Sequence, residues 1–150
     1  MGIEYRLTLA GDIPLEDLAP LVAPHGIEES TLPGYPRLLS ADLGEELGYT
    51  VTISAGSNGY FDAEDDDGTP WEWEPDTYAN IVFHLRKNDP PEDAVPNIVS
   101  AVARVLDSRQ EDAALVLNGN WLLLTRVAGE LREHRPSWWG TYGVREIIAW

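Results

Sequence analysis

Cysteine is absent from the sequence, which excludes a disulfide framework, a thiol nucleophile and any thiolate metal site. Glycine-rich phosphate cradles are missing, as is the G-x-S-x-G turn that presents a catalytic serine. The nearest stretch, Gly56-Ser57-Asn58-Gly59, reads as a loop. His25, His84 and His134 lie far apart and fit no metal-ligand spacing. No apolar run approaches the ~20 residues of a bilayer span. The opening Met1-Gly2-Ile3-Glu4-Tyr5-Arg6-Leu7 lacks the basic start and continuous apolar stretch of a secretory signal. These absences point to a cytosolic chain with no membrane partner.

Positive charge is scarce. Ten Lys and Arg stand against 26 Asp and Glu, a formal net charge of −16. Such a chain repels nucleic acid and steers towards cationic partners. At 150 residues it fits one domain spanning 1–150. A domain of that size buries about 68–70% of the surface its unfolded chain exposes, and the 43% hydrophobic content is enough for an ordinary core.

Several segments alternate with period two. In Ile3–Leu9, Ile3, Tyr5, Leu7 and Leu9 oppose Glu4, Arg6 and Thr8. In Tyr49–Ala55, Tyr49, Val51, Ile53 and Ala55 oppose Thr50, Thr52 and Ser54. In Tyr78–Arg86, Ala79, Ile81, Phe83 and Leu85 oppose Tyr78, Asn80, Val82, His84 and Arg86. One-sided alternation of this kind belongs to antiparallel sheets with one covered face. Arg37–Ala41 is a shorter candidate strand. Asp12 is placed to cap a short helix with Pro14 in its first turn and Leu15, Leu18, Leu21 and Val22 on its apolar side.

The stretch from Pro24 to Pro36 reads as an irregular connection. Asn88-Asp89-Pro90 opens a second helix reaching about Ser108, with Val95, Ile98, Val99, Val102 and Leu106 as its stripe. Pro96 places the regular part near that residue. Ala113–Leu117 and Trp121–Thr125 flank Asn118-Gly119, the preferred pair of a type I′ hairpin, which would pair Leu117 with Asn120, Val116 with Trp121 and Leu115 with Leu122. Apolar residues on both faces put this hairpin centrally in its sheet. Trp138, Trp139, Tyr142 and Trp150 read as packing residues, and Val144–Trp150 as a last strand. The expected fold is α+β: a mainly antiparallel sheet of about five to six strands, two helices packed on one face, and the other face polar and available.

The charge is unevenly placed. From Leu38 to Leu85 there are 11 carboxylates and no Lys or Arg, and eight fall between residues 62 and 76: Asp62, Glu64, Asp65, Asp66, Asp67, Glu72, Glu74 and Asp76. Most charge runs are solvated loops. Trp71 and Trp73 interleave with this one, however, and exposed tryptophan is a poor choice for a segment that needs only to be soluble. Trp is enriched at interface hot spots, so these ten residues form the candidate partner-binding set. The alternative use of the two tryptophans is to turn inward and anchor the segment to the sheet. Against the twelve-residue calcium loop, Ala63–Glu74 aligns Asp65, Asp67, Gly68 and Glu74 but puts Ala63 at the first ligand position, so no dedicated metal site, cofactor or catalytic residue is expected.

Four stretches carry a family likeness: the opening Ile3-Glu4-Tyr5-Arg6-Leu7-Thr8-Leu9 strand, Ile81-Val82-Phe83-His84-Leu85, the helix after Asp89, and Ala113–Arg126 ending Trp121-Leu122-Leu123-Leu124-Thr125-Arg126. In layout and texture the chain resembles the Sit-type immunity proteins, cytosolic partners of lipoprotein toxins exchanged between bacterial cells. The resemblance implies a role without catalysis: neutralising a toxin domain, basic at its contact surface, by tight complex formation. Two competing readings are a metal-assisted hydrolase using the carboxylates of the 62–76 segment and an acidic regulatory or scaffolding domain.

Overall fold

The computed structural model describes residues 2–85 and 91–150. The strand position Arg86 and the helix opening Asn88-Asp89-Pro90 lie outside the described residues.

The alternating segments form the middle of one large sheet. Strand β1 (Ile3–Ala10) is followed by helix α1 (Leu15–Val22), β2 (Glu28–Glu29), β3 (Leu38–Leu43), β4 (Tyr49–Ser57), β5 (Phe61–Glu64), β6 (Pro70–Trp73), β7 (Thr77–Leu85), helix α2 (Ala94–Ser108), β8 (Ala113–Leu117), β9 (Trp121–Val127), β10 (Glu130–Glu133), helix α3 (Pro136–Tyr142) and a 3-10 turn, Arg145–Ile147. The strand order is β2-β3-β4-β7-β1-β8-β9-β5-β6, with β10 also on β9. Every pairing is antiparallel except a single parallel bridge between Glu64 of β5 and Trp121 of β9.

The fold class is α+β as expected, but with ten strands among the described residues rather than five to six, and three helices rather than two. The additional strands are short. Two to four residues give too little alternation to register, and β5 and β6 are masked by the charge between them. The tail Val144–Trp150, expected as a strand, holds the 3-10 turn Arg145–Ile147 instead, and the third helix, α3, precedes it.

The register faces are those the alternation predicts, except that Ala55, expected inward, is exposed near the end of β4. Tyr5, Leu7 and Leu9, Tyr49, Val51 and Ile53, and Ala79, Ile81, Phe83 and Leu85 are all buried in one core. Leu15, Leu18 and Val22 of α1, Ile98, Val99, Val102 and Leu106 of α2, and Trp138 and Trp139 of α3 join the same core. Asp12 does not cap α1, whose N-cap position is Pro14. Helix α2 begins at Ala94, which puts Pro96 in the first turn, where its missing N–H leaves no hydrogen bond unmade.

The β8–β9 hairpin sits centrally and is buried on both faces, but its register differs from the expected one. Asn118 and Gly119 take the left-handed φ values (52° and 69°) that the turn requires. Leu117 nonetheless pairs with Trp121 and Val116 with Leu122, and a bulge then brings Leu115 opposite Leu124. Asn120 leaves the ladder, and its carbonyl accepts the Glu64 N–H at 2.7 Å. The bulge changes the facing of β9. Leu122 joins Ala114 and Val116 on the far face, while Leu123 and Leu124 both enter the main core.

The far face is therefore not wholly polar and available. The β5–β6 hairpin folds over it, putting Ala63, Trp71 and Trp73 against Ala114, Val116 and Leu122. The Arg6 guanidinium lies 4.9 Å from the centre of the Phe61 ring.

On the helix side, Trp139 closes the core, its indole N–H shared between the carbonyls of Leu123 and His134, both at 3.0 Å. Trp139→Phe removes that donor and part of the ring volume. It is expected to cost about 2 kcal/mol, read as a lowered urea midpoint at unchanged slope.

Candidate functional site

The acidic segment is neither a mobile loop nor a flat array of outward charges. It is a hairpin with two faces. Phe61 pairs with Trp73, Ala63 with Trp71, Asp62 with Glu72 and Glu64 with Pro70. Strand alternation then sends Phe61, Ala63, Trp71 and Trp73 towards the sheet and Asp62, Glu64 and Glu72 away from it. Trp71 and Trp73 are half-buried, their rings 6.0 Å apart, and Phe61 meets Tyr78 edge-on at 5.1 Å. Of the two uses open to the tryptophans in sequence, the inward one is realised.

The outer face concentrates charge of one sign. Asp62, Glu64, Asp67, Glu72, Glu74 and Asp76 are all exposed. Asp62 stands directly across the ladder from Glu72, a like-charge pairing that works against the hairpin. Among the described residues none of these six carboxylates forms an ion pair with Lys or Arg. Three arginines form ion pairs elsewhere, Arg37 with Glu16 and Glu29, Arg109 with Glu111 and Asp17, and Arg145 with Glu133. Glu72 accepts the Tyr60 hydroxyl at 3.1 Å, which raises the Tyr60 pKa.

Two acids of the run have a different task. At the β5–β6 turn, Asp65 Oδ1 lies 2.6 Å from Nδ1 of His134, and Asp66 Oδ1 accepts the Arg135 backbone N–H at 2.6 Å. The other ring nitrogen of His134 is 3.0 Å from Thr125 Oγ1. Asp67 stays local, accepting the Thr69 N–H at 3.0 Å. The calcium-loop alignment thus corresponds to a strand–turn–strand unit with Gly68 in the turn.

Asp65, Asp66 and His134 are the donors whose ligand atoms come within 4.8 Å of one another, the cluster among the described residues able to share a cation. Their short Asp–His hydrogen bond already occupies the pair. Thr125, His134 and Asp65 also line up as a hydroxyl–imidazole–carboxylate relay. Thr125 is only 6% exposed and His134 4%, so the hydroxyl is sealed from a substrate and the relay acts as a buried clasp. Nothing local in the sequence flagged His134, because its partner is 69 residues away.

Burial raises the Asp65 pKa, but the hydrogen bonds from His134 and from the Asp66 backbone, with the His134 charge, outweigh it and bring the carboxyl down to about 2. A depressed carboxylate pKa stabilises the fold above its unfolded value of about 3.9, and that stability is lost as pH falls towards the folded value. Asp65→Asn is therefore expected to cost about 1–2 kcal/mol at neutral pH in denaturant titrations, with the gap to the parent closing between about pH 4 and pH 2.

No helix among the described residues is long and apolar enough to cross a membrane. No curated protein and no solved structure matches the chain. One family model does match, described as SitI3-like, over residues 3–143, a span that takes in the sheet, the acidic hairpin, the clasp and α3. The chain belongs to the SitI3-like family, consistent with its resemblance to the Sit-type immunity proteins.

Proposed function

We propose that this chain is an immunity protein that neutralises a bacterial toxin domain by forming a tight complex in the cytosol, and that the outer face of the β5–β6 hairpin is its principal docking surface. The observation that carries this reading is the uncompensated carboxylate face. Asp62 and Glu72 sit opposite each other on a hairpin whose underside is apolar, and no ion pair among the described residues engages either of them; Arg6, over the Phe61 ring, acts on Asp62 only at a distance. A hairpin kept only for stability would not oppose two like charges. A surface that attracts a cationic partner gains from them.

The roles within the set then divide. Asp62, Glu64, Asp67, Glu72, Glu74 and Asp76 present charge to the partner. Trp71 and Trp73 shape the surface from beneath, and Asp65 and Asp66 fix the hairpin turn to the sheet. Burial of the one histidine-centred relay supports binding over catalysis.

The test is association with the product of the adjacent gene, which the immunity reading expects to be the toxin, followed as a function of salt. Asp62→Asn, Glu64→Gln, Glu72→Gln and Glu74→Gln combined are expected to slow association about tenfold or more at low salt and to flatten its salt dependence. Unchanged kinetics would remove the hairpin from the interface.

A further inference from the structure

Beside the acidic hairpin lies a second surface of different chemistry. Tyr35, Tyr60 and Trp150 are exposed aromatics too, but Trp121 and Tyr142, 44% and 47% exposed, share one cleft. With Arg135, Ser137, Trp138 and Thr141 they line a cleft of about 260 Å³. Trp138 is buried and forms its floor, 5.0 Å from the Tyr142 ring. The Arg135 guanidinium covers the Trp121 ring at 4.6 Å. Trp, Tyr and Arg are the three residue types most enriched at interface hot spots.

The cleft is continuous with the acidic face. Glu64 of the hairpin is bridged to Trp121, and Arg135 Nη2 lies 3.3 Å from the carbonyls of Glu64 and Asp65. It is also held in shape before any partner arrives. Arg135 takes a left-handed backbone (φ 53°), unfavourable for a side-chain-bearing residue, and the bond from its N–H to Asp66 holds it there. Trp121 packs under Arg135 and Tyr142 against Trp138, contacts that reduce the conformational freedom left to lose on binding.

We infer that this cleft is the apolar anchor site of the interface, taking one large aliphatic or aromatic side chain from a partner segment flanked by Lys or Arg. The volume falls below the roughly 300–1,000 Å³ of sites for drug-sized ligands and suits a single side chain. The flanking cations follow from charge complementarity, since Glu64 sits at the cleft's edge and Asp62 and Glu72 continue beyond it on the same face. A second copy of the chain is a poor occupant, because each copy carries −16. The inference rests on the immunity reading and adds to it a division of labour: the hairpin charges set the rate of encounter, and the aromatic cleft sets the lifetime of the complex.

The experiment uses the full chain and the product of the adjacent gene, the toxin on the proposed reading, with association and dissociation rates measured separately. Trp121→Ala and Tyr142→Ala, in two different elements, are each expected to speed dissociation about tenfold or more while association and its salt dependence stay within twofold of the parent. Circular dichroism and thermal midpoints near the parent's establish that the variants fold. If neither variant speeds dissociation while the carboxylate substitutions still slow association, the cleft is not the anchor and the acidic docking surface stands. If the aromatic variants speed dissociation and the carboxylate substitutions do nothing, the cleft stands and the charged surface falls. Absence of binding by the parent chain overturns both, and a parent homodimer that Trp121→Ala converts to monomer would assign the cleft to a second copy instead.

Discussion

The imidazole of His134 is bonded on both nitrogens, to Thr125 in β9 and to Asp65 at the hairpin turn, and the next residues continue the job. Arg135 N–H goes to Asp66, and Trp139 Nε1 goes back to the His134 carbonyl and to Leu123. One short stretch of chain therefore ties together the acidic hairpin, the bulged strand and the closing helix. Without it, β5 would be held to the sheet mainly by one bridge at Trp121, the Asn120–Glu64 bond and the apolar contacts beneath Trp71 and Trp73. A two-stranded ribbon carrying that much charge is marginal on its own. The clasp converts it into part of a rigid body.

This arrangement resolves a conflict that the charge run creates. Carboxylates packed this closely repel one another and oppose folding, yet they are useful only if they are held in a fixed array. The hairpin meets both demands by separating its two faces. The inner face contributes aromatic burial on Ala114, Val116 and Leu122, with Arg6 beneath Phe61 supplying a cation where Asp62 can feel it. The turn spends two of its acids on hydrogen bonds to the sheet. What remains on the outer face is charge that forms no ion pair among the described residues.

The central strands were readable because period-two alternation reports burial directly: every inward position named in β1 and β7 packs in the core or against it. The Asn118-Gly119 turn was equally plain, since positive φ at both positions restricts residue choice, but its register was not. That register goes with Asn120 giving its carbonyl to Glu64, a contact across 56 residues that no local pattern encodes. The acidic segment stands out by composition, whereas its hairpin geometry is hidden, because glutamate and aspartate obscure strand propensity. His134 and Arg135 were missed for the same reason: their roles come from tertiary contacts with residues about 70 positions away. Short-range physics is legible in sequence, and clasps between distant segments are not.

The separation of faces also bears on how such a protein could acquire specificity. Substitutions at exposed positions such as Asp62, Glu64, Glu72 and Glu74 touch no core contact, so each is expected to alter stability by no more than about 0.5 kcal/mol. The same changes redraw the field that a partner meets. Positions on the underside have no such freedom, because Ala63 faces Trp71 over Ala114 and Val116 with little room for a larger side chain. A scaffold built this way can change partner by editing its outer face while its inner face and clasp stay fixed. On the proposed reading, discrimination between partners falls to charge pattern and to the cleft beside Trp121, where a clash or an unpaired charge penalises the wrong partner as well as an added contact rewarding the right one.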